Sequence, residues 1–395
     1  MSARRKFLYF VGAGAVALGG GLAWRAAGQG AFRRRSDDAY KPWSDWASAP
    51  GSDELALVNA AILAASPHNT QPWLFRVGDG SIDLFADSAR HLGAFDPYRR
   101  EMLLGLGCAL ENLVVGATTL GFATQVQVLP APAEPTRIAH VELSRGQVQL
   151  SPLAQAIPLR HTNRGPYQVT RTLEAQAMTA FLSLADAGGA RLVLFEADSP
   201  KGKLFADGTI LATERIVSDR EMYADSERWF RHDWSDIRRR RDGISVLHAG
   251  LSPLMTEIAM LAPRISPEDS GAAWLRMIRD TQLPTAPAYG VILVRDLYDP
   301  RQAIEAGRLW QRAHLEGTRR GLAMQPINQL MECVDRDRQL GRASQFAEVM
   351  AGLGEPGWAP TFGFRVGYAR SAASPSARRA VQDCLLVGES QRPRA

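Results

Sequence analysis

The chain has 395 residues, of which 46% are hydrophobic and 22% are charged. That length and apolar fraction are enough for two ordinary domains, and they exclude global disorder, a collagen-like repeat and a small disulfide-stapled scaffold. The formal net charge is +5, but seven basic residues and no acidic residue lie within residues 1–35, which leaves 39 basic and 41 acidic residues elsewhere. The body therefore carries a net charge of −2, which argues against a nucleic-acid partner.

Residues 1–35 have the pattern of a targeting leader. The basic run Arg4-Arg5-Lys6 is followed by an uncharged apolar stretch from Phe7 to Trp24. This arrangement resembles a twin-arginine signal, with Ala3 where Ser or Thr is usual, and it predicts a periplasmic or otherwise exported protein. An uncleaved membrane anchor is the alternative, because the apolar stretch is near the lower limit for a span. No clean Ala-x-Ala cleavage site is present at 26–31.

Residues 36–52 are polar and aperiodic, and they predict a tether. Beyond them, hydrophobic periodicity predicts helices at 55–65, 102–120 and 173–185, and strands at 82–86, 125–129, 138–143, 192–195, 289–294 and 361–366. The helix at 102–120 is apolar nearly all round, so we expect it to be buried on every side. Cys108 lies in this helix and is predicted to be a buried thiol, while one disulfide among the three cysteines stays conceivable.

A shift of 200 residues reveals internal similarity. It aligns Gly107 with Gly307 and gives four further identities nearby, at 118/318, 121/321, 123/323 and 125/325. Asp96-Pro97 and Asp299-Pro300 precede the two aligned helices at nearly the same distance. The pattern predicts an α+β fold built as an internal pseudo-dimer, with halves at 53–155 and 156–395 that each contain one long central helix.

The segment 213–243 has no counterpart in the first half. It is dense in charge and aromatic residues, and it ends in the run Arg238 to Arg241. One interpretation is a solvated pair of helices, and the other is a lid whose aromatic side chains face a pocket. Acidic residues are interleaved throughout the segment, so a nucleic-acid patch is disfavoured.

Three short motifs carry the candidate chemistry. The first is a polar loop with two prolines, and its candidate residues are Ser66, Pro67, His68, Asn69 and Gln71. The second places Arg160 and Arg164 four residues apart around Thr162, a spacing that suits phosphate and ring carbonyl oxygens. The third is the pair Arg378-Arg379 near the end of the chain. Each motif alone is weak.

Together these motifs resemble the nitroreductase superfamily. Pro67 to Trp73 looks like its N-x-Q-P-W loop, which contacts the flavin ring of FMN, and Arg160 to Arg164 looks like its R-x-S-x-R motif, which grips the ribityl chain and phosphate. The stretch 306–326 resembles its long core helix and the following turn. With the leader and two fused halves, the chain is similar over roughly residues 53–387 to the Acg-type branch.

The resemblance implies a nitroreductase-like fold, FMN as cofactor, and hydride transfer from a donor to a small acceptor such as a quinone or nitro compound. It places Gln325 and Asn328 near the ring and Arg378 or Arg379 on the phosphate. Ordinary members carry both motifs in each chain and build two sites per dimer. Here the first half has the loop alone and the second half has the arginine motif alone, with Asp186 to Ala190 in place of a second loop. We therefore expect one FMN per chain and a monomer.

Other chemistries find no support in the sequence. It contains no H-E-x-x-H, G-x-S-x-G or P-loop motif, and the seven histidines lack the spacing of metal ligands. FMN would itself perform the redox step, so no catalytic residue and no metal site is assigned. Because an exported protein would not meet NAD(P)H, two hypotheses stand: an oxidoreductase with another electron source, and a flavin-sequestering protein without turnover. A flavin-free pseudo-dimer is the third.

Overall fold

A computed structural model of the protein describes residues 38–44, 46–48, 51–184 and 189–386. The predicted leader lies outside the described residues. So does most of the segment from Asp186 that replaces the second loop.

The first half consists of a four-stranded antiparallel sheet and a pair of helices. Its strands are β1 (Trp73–Gly78), β2 (Ser81–Ala86), β3 (Phe122–Val128) and β4 (Arg137–Arg145), arranged in the order β1-β2-β4-β3. The helices are α1 (Asp53–Ile62) and α2 (Arg100–Thr119). Short helix α3 (Pro152–Ala156) ends this half. The predicted helices and strands are confirmed here, whereas β1 was not predicted, because Pro72 before it, the polar Arg76 within it and the glycines at its end weaken the strand pattern.

The second half contains another four-stranded antiparallel sheet, in the order β5-β8-β10-β9. Its strands are β5 (Ala190–Glu196), β8 (Ala288–Val294), β9 (Ala323–Pro326) and β10 (Ala359–Gly367), and the two-residue strands β6 (Phe230–Arg231) and β7 (Ile244–Ser245) pair separately. Its helices are α4 (Ala175–Ser183), α5 (Pro200–Ser218), α6 (Arg220–Glu227), α7 (Trp234–Arg240), α8 (Pro253–Leu261), α9 (Pro267–Met277), α10 (Pro300–Arg319), α11 (Gln329–Gln339) and α12 (Ala347–Leu353). The α+β class predicted from the sequence is confirmed.

Helices α2 and α10 cross at the centre of the molecule. A Cβ on Gly107 would lie 2.0 Å from the Ile304 carbonyl oxygen, and a Cβ on Gly307 would lie 2.0 Å from the Leu104 carbonyl oxygen. Only glycine allows two helix backbones to approach so closely. The two contacts are reciprocal and relate residues 200 positions apart, which is the arrangement of an isologous interface.

Polar side chains beside this crossing are compensated. The buried Glu111 carboxylate pairs with Arg308 at 3.0 Å and with Arg312 at 2.6 Å. The Gln311 side-chain Nε2 donates to the side-chain Oδ1 of Asn112 at 2.7 Å. α2 is long and apolar enough to span a membrane, but most of it is buried inside the protein. It is therefore a core helix, as the sequence predicts.

The three cysteines are free and buried. Burial raises the pKa of Cys108 to about 12, so this thiol is inert at neutral pH.

The predicted tether is wrong for the described part of 36–52. Lys41–Trp43 and Trp46–Ser48 form short 3₁₀ turns, and Ala39, Trp43 and Trp46 are buried. The two tryptophans provide the apolar area that a mobile segment lacks. Residues 38–44 and 46–48 are called the N-terminal strap below.

The predicted insertion also has a different start. Residue 213 lies inside α5, because Thr213 and Ile216 continue the buried face of that helix to Ser218. The remainder, 219–243, folds over the loop at 66–73. Trp234 is buried between the strap and Ala377, while Arg239 is 73% exposed. Both features that the sequence left open, inward aromatics and a solvated charged face, therefore occur in this segment.

Candidate functional site

The loop between α1 and β1 has a strained backbone. His68, Asn69 and Gln71 have φ values of 45°, 53° and 53°, in the left-handed region that residues other than glycine seldom occupy. Each such residue costs on the order of 1–3 kcal/mol, so surrounding contacts must hold the conformation. One of them is internal, since the Gln71 backbone N–H donates to Ser66 Oγ at 3.1 Å. The loop is thus a rigid element rather than a simple turn.

The Asn69 and Gln71 amides join this loop to two other segments. Asn69 Nδ2 donates to the carbonyl oxygens of Gly243 and Ala377 at 3.1 and 3.0 Å. Gln71 Nε2 donates to the Arg241 carbonyl oxygen at 2.8 Å. These buried NH₂ groups must find acceptors, and nearby carbonyls provide them. The amides that the sequence assigns to a flavin ring are therefore engaged with the 219–243 segment and the C-terminal loop.

Arg160 of the second motif is buried, and no acidic side chain pairs with it among the described residues. Its guanidinium donates to the Leu63 carbonyl oxygen at 3.1 Å and lies 3.4 Å from His314 Nδ1, while its Nε has no hydrogen-bond partner in that part of the chain. Burial lowers the pKa of Arg160 to about 10, with Cys108 opposing. The group is still a cation at neutral pH, and it is poorly compensated.

Arg378 of the third motif lies beside Arg160. Both guanidinium groups donate to the Leu63 carbonyl oxygen, and Arg378 also donates to Asn69 Oδ1 and to the Ala64 carbonyl oxygen. Its Nε has no hydrogen-bond partner within the described ranges, and burial together with the Arg160 charge lowers the pKa of Arg378. The structure therefore gathers a residue from each of the three motifs at one place.

Arg379 points elsewhere. Its backbone N–H donates to Gln71 Oε1 at 2.9 Å and its guanidinium donates to the carbonyl oxygens of Gln71 and Asp383. Of the two residues that the resemblance offers for the phosphate, Arg378 is the one beside Arg160.

Arg164 and Thr162 are half-buried, and neither side chain has a hydrogen-bond partner among the described residues. Burial, with Arg365 adding to it, lowers the pKa of Arg164 to about 10. Burial and Arg164 in turn lower the pKa of His68 to about 4, so His68 is neutral at pH 7. His68 Nε2 lies 2.8 Å from Ser226 Oγ, which ties this end of the loop to α6.

A residue that the sequence reasoning missed, Arg365, positions the second motif. It donates to the carbonyl oxygens of Asn163 and Gly165 at 3.3 and 2.7 Å and to Gln325 Oε1 at 2.7 Å. Its guanidinium also lies 3.9 Å from the Tyr167 ring centroid. Gln325 therefore supports the motif from behind. An arginine inside the apolar strand β10 is the signal that could have found it, because such a residue is rarely buried without a structural role.

Asn328 belongs to a different group. Its Nδ2 donates to Glu101, and Gly363 N–H donates to its Oδ1 at 3.3 Å. Asp96, Glu101 and Glu332 are all buried there, and burial raises the pKa of each, to about 7 for Asp96. With Arg100 and Asp335 they form what is called the acid cluster below. The sequence reasoning missed it, because these residues come from α2, from the turn that precedes it and from α11, which is distant in the chain.

Arg160 and Arg378 are called the arginine cluster below. They form no salt bridge within the described part of the chain, and neither does Arg164. His161 lies with the cluster, and its Nδ1 has no hydrogen-bond partner among the described residues. Burial and the charges of Arg160 and Arg378 lower the pKa of His161 to about 3. Unpaired donors from several buried cations suit an anion with several oxygens, such as a phosphate. No group of three or more metal-ligating side chains occurs among the described residues.

Comparison with known proteins connects the chain to nitroreductases. No family model matches it. Two proteins of Mycobacterium tuberculosis H37Rv, both named provisionally as NAD(P)H nitroreductases, are similar over part of their length. Rv3131 is 37% identical over 114 residues, 28% of this chain and 33% of the relative, and acg is 35% identical over 113 residues, 28% and 34% respectively. The chain therefore spans about a third of the length of the curated relatives it matches, and its predicted resemblance to Acg-type nitroreductases is confirmed.

Two solved structures are also similar to the chain, at lower sequence identity than these two relatives. The FMN and NADPH-dependent nitroreductase NfnB of Sphigopyxis sp. strain HMH gives a TM-score of 0.37 at 16% identity, with 60% of this chain and 99% of that chain covered. A nitroreductase with bound FMN from Desulfitobacterium hafniense DCB-2 gives 0.34 at 12% identity, with 62% and 100% covered. The sequence match, rather than these likenesses, connects the chain to nitroreductases.

Proposed function

We propose that the protein is an FMN-dependent, nitroreductase-like oxidoreductase with one flavin site at the junction of its halves. The observation that carries this proposal is the arginine cluster. Arg160 and Arg378 are 2% exposed, and among the described residues neither has an acidic partner and each keeps an unpaired Nε, with His161 Nδ1 nearby. These donors fit the dianionic phosphate of FMN, and the similarity to Acg-type nitroreductases supports that choice over other phosphate esters.

When bound, FMN supplies two-electron transfer between a donor and an acceptor. Arg160 and Arg378 would hold the phosphate of FMN. Arg164, whose half-buried guanidinium lies beside His68 and has no hydrogen-bond partner among the described residues, would face the more central part of the FMN molecule. The 66–73 loop would limit access to the ring, because its amides fix the 219–243 segment over it. No side chain is assigned a proton-transfer role.

A flavin store without turnover is the second candidate. Its support is the closure over the loop, where Ser226 contacts His68 and Gly243 is bonded to Asn69 through both its N–H and its carbonyl. A segment held at several points would exclude a bulky donor. The two candidates share the flavin site and differ only in whether that segment opens.

The flavin site is tested by the absorbance spectrum and flavin content of the purified protein. We expect a yellow protein with about one FMN per chain, since the sequence has one loop and one arginine motif. Arg160→Ala together with Arg164→Ala should abolish flavin retention, and Arg239→Ala, at an exposed position, is the matched control. Full retention by the double variant, or two flavins per chain, would contradict the one-site proposal.

Turnover is tested on the flavin-loaded protein without oxygen. NADH or dithionite is added, the flavin spectrum is followed, and then a quinone or a nitroaromatic compound is supplied. Reoxidation by either acceptor after reduction supports the oxidoreductase. Bleaching by dithionite alone, with no response to the acceptors, supports the store.

We also propose that the halves arose by duplication, on the support of the reciprocal Gly107 and Gly307 contacts. The fused halves already place the two central helices face to face, so a monomer is expected by light scattering. The leader is proposed to direct export by the twin-arginine route. Relocation of the protein to the cytoplasm after Arg4→Lys together with Arg5→Lys would support this, and unchanged export would refute it.

A further inference from the structure

The N-terminal strap lies directly against the arginine cluster. The Ala39 carbonyl oxygen accepts a hydrogen bond from the Arg378 backbone N–H at 2.8 Å, and Trp43 Nε1 donates to the Ser376 carbonyl oxygen at 2.7 Å. Both bonds join residues more than 300 positions apart in the chain. They fix the C-terminal loop that carries Arg378, so the strap is part of the site rather than a linker before it.

The Trp43 indole faces the cations themselves. The Arg378 guanidinium lies 4.7 Å and that of Arg160 6.0 Å from the indole ring, and the His161 ring meets it edge-on at 4.6 Å. Trp43 is only 8% exposed. A desolvated tryptophan is the strongest aromatic partner for a guanidinium, and a cation–π contact leaves the N–H donors in the guanidinium plane free for an anion. The indole therefore covers the cluster without consuming its donors.

We propose that Trp43 closes the phosphate end of the flavin site and so selects a flavin that ends in a phosphate monoester. This inference rests on the proposed function. FMN ends at its phosphate, whereas in FAD that phosphate is joined through a phosphoanhydride bond to an adenosine monophosphate group. An extension beyond the arginine cluster meets the wall formed by Trp43 and His161, which is tied down by Ser376 and Ala39. Trp43 is thus a determinant of FMN over FAD, and it contributes affinity through the position of Arg378.

The test measures the dissociation constants of FMN and FAD for the flavin-free full-length protein by quenching of flavin fluorescence. The unmodified protein should favour FMN over FAD by about 100-fold or more, the equivalent of about 2.7 kcal/mol. Trp43→Ala should weaken FMN binding by about 10-fold and bring the two flavins within about 10-fold of each other. Trp43→Phe should lie between these, because it keeps a ring over Arg378 but is smaller and lacks the bond to Ser376.

Trp46→Ala is the matched control. Trp46 lies in the same strap with the same 8% exposure, but it packs against α2, with its ring 3.3 Å from the position of a Cβ on Gly116. Trp46→Ala should lower the free energy of unfolding by about as much as Trp43→Ala, and it should leave the ratio of FMN to FAD affinity unchanged. An unchanged ratio in Trp43→Ala would overturn the proposal. If Trp43→Ala does not fold, an unchanged ratio of FMN to FAD affinity in Trp43→Phe would overturn the proposal instead. A wild-type protein that binds neither flavin would instead refute the proposed function.

Discussion

Arg100 and Arg160 are both 2% exposed, yet their surroundings are opposite. Arg100 pairs with Asp335 at 2.7 Å, and although burial opposes its charge, Asp335, Glu101 and Asp96 raise the pKa of Arg100. Arg160 has only neutral acceptors and further cations around it, and burial lowers its pKa. One cation neutralises its surroundings, whereas the other adds to a local excess of positive charge.

The difference separates a structural group from a ligand site. In the acid cluster, surplus carboxylates are neutralised by Arg100 and by protons, as the raised pKa values of Asp96, Glu101 and Glu332 indicate. The arginine cluster cannot neutralise itself in that way, because guanidinium groups do not release protons near neutral pH. Only an anion from outside the chain can compensate it. The acid cluster should therefore govern folding and the arginine cluster should govern binding.

The largest expected effect is on folding. Arg100→Met leaves buried carboxylates without their cation, and breaking a buried ion pair in this way costs about 3–5 kcal/mol. The free energy of unfolding from urea titration should fall by that amount. Arg160→Met, measured without flavin, is the matched comparison, and we expect its loss to be much smaller. An equal loss in both variants would end the distinction between the two clusters.

The acid cluster should also make stability depend on pH. Burial and the neighbouring Glu101 charge raise the pKa of Glu332, and the two carboxyls share a hydrogen bond. Because the folded-state pKa lies above the unfolded value, the folded protein binds more protons above about pH 4.5. This stabilisation is complete below that pH and is lost as the pH rises through the folded-state pKa. The loss should be measurable by urea titration, because each pH unit that separates the folded-state pKa from the unfolded-state pKa is worth about 1.4 kcal/mol.

Glu332→Gln isolates this contribution. The buried His68 and His161 act in the opposite sense, because their lowered pKa values, to about 4 and about 3, remove stability as the pH falls below about 6.5. The informative quantity is therefore the difference between wild type and Glu332→Gln across the pH range. That difference should decline steadily from pH 4.5 upward. A difference independent of pH would show that folding does not raise the pKa of Glu332.

A smaller effect concerns binding. Arg160→Met removes a charged donor from the flavin phosphate, and one such hydrogen bond is worth about 1.5–3 kcal/mol, or roughly 10- to 100-fold in affinity. The flavin-free protein should unfold at nearly its original urea concentration, because a buried uncompensated cation has been replaced by an apolar side chain. Two measurements check this prediction: the dissociation constant of FMN, and the urea midpoints of the flavin-free wild type and of the flavin-free Arg160→Met variant. Unchanged FMN affinity would place the phosphate elsewhere.

Sequence periodicity predicted both central helices and most strands, because apolar spacing is a local property. The motifs also indicated where donors would be found: Arg164 and Arg378 lie beside the 66–73 loop, and Arg160 lies beside Arg378. The role of Asn69 and Gln71 could not be predicted, because their partners Arg241, Gly243 and Ala377 are distant in the chain.

The strap and the acid cluster escaped prediction for related reasons. The two tryptophans of the strap, Trp43 and Trp46, stand among polar residues, so no period marked the segment as buried, although Pro42 after Lys41 is typical of a helix start. Glu101 and Glu332 each look like a surface residue of a helix, and only the side-chain contacts between the start of α2 and α11 show that they meet. Contacts between distant segments are what single-sequence reasoning cannot supply.

The smallest expected effect concerns the arginine run Arg238 to Arg241. Arg239 is 73% exposed and pairs with Asp236 at 2.9 Å, and Asp236 also pairs with Arg240 at 3.0 Å. Arg239→Ala leaves the carboxylate partnered, so stability should change by less than about 0.5 kcal/mol and flavin affinity should not change. Urea titration and flavin binding would show both. A clear loss of flavin would mean that the outer face of α7 affects the flavin site. Burial and charge would then not be enough to tell the residues that govern folding and binding from exposed surface residues.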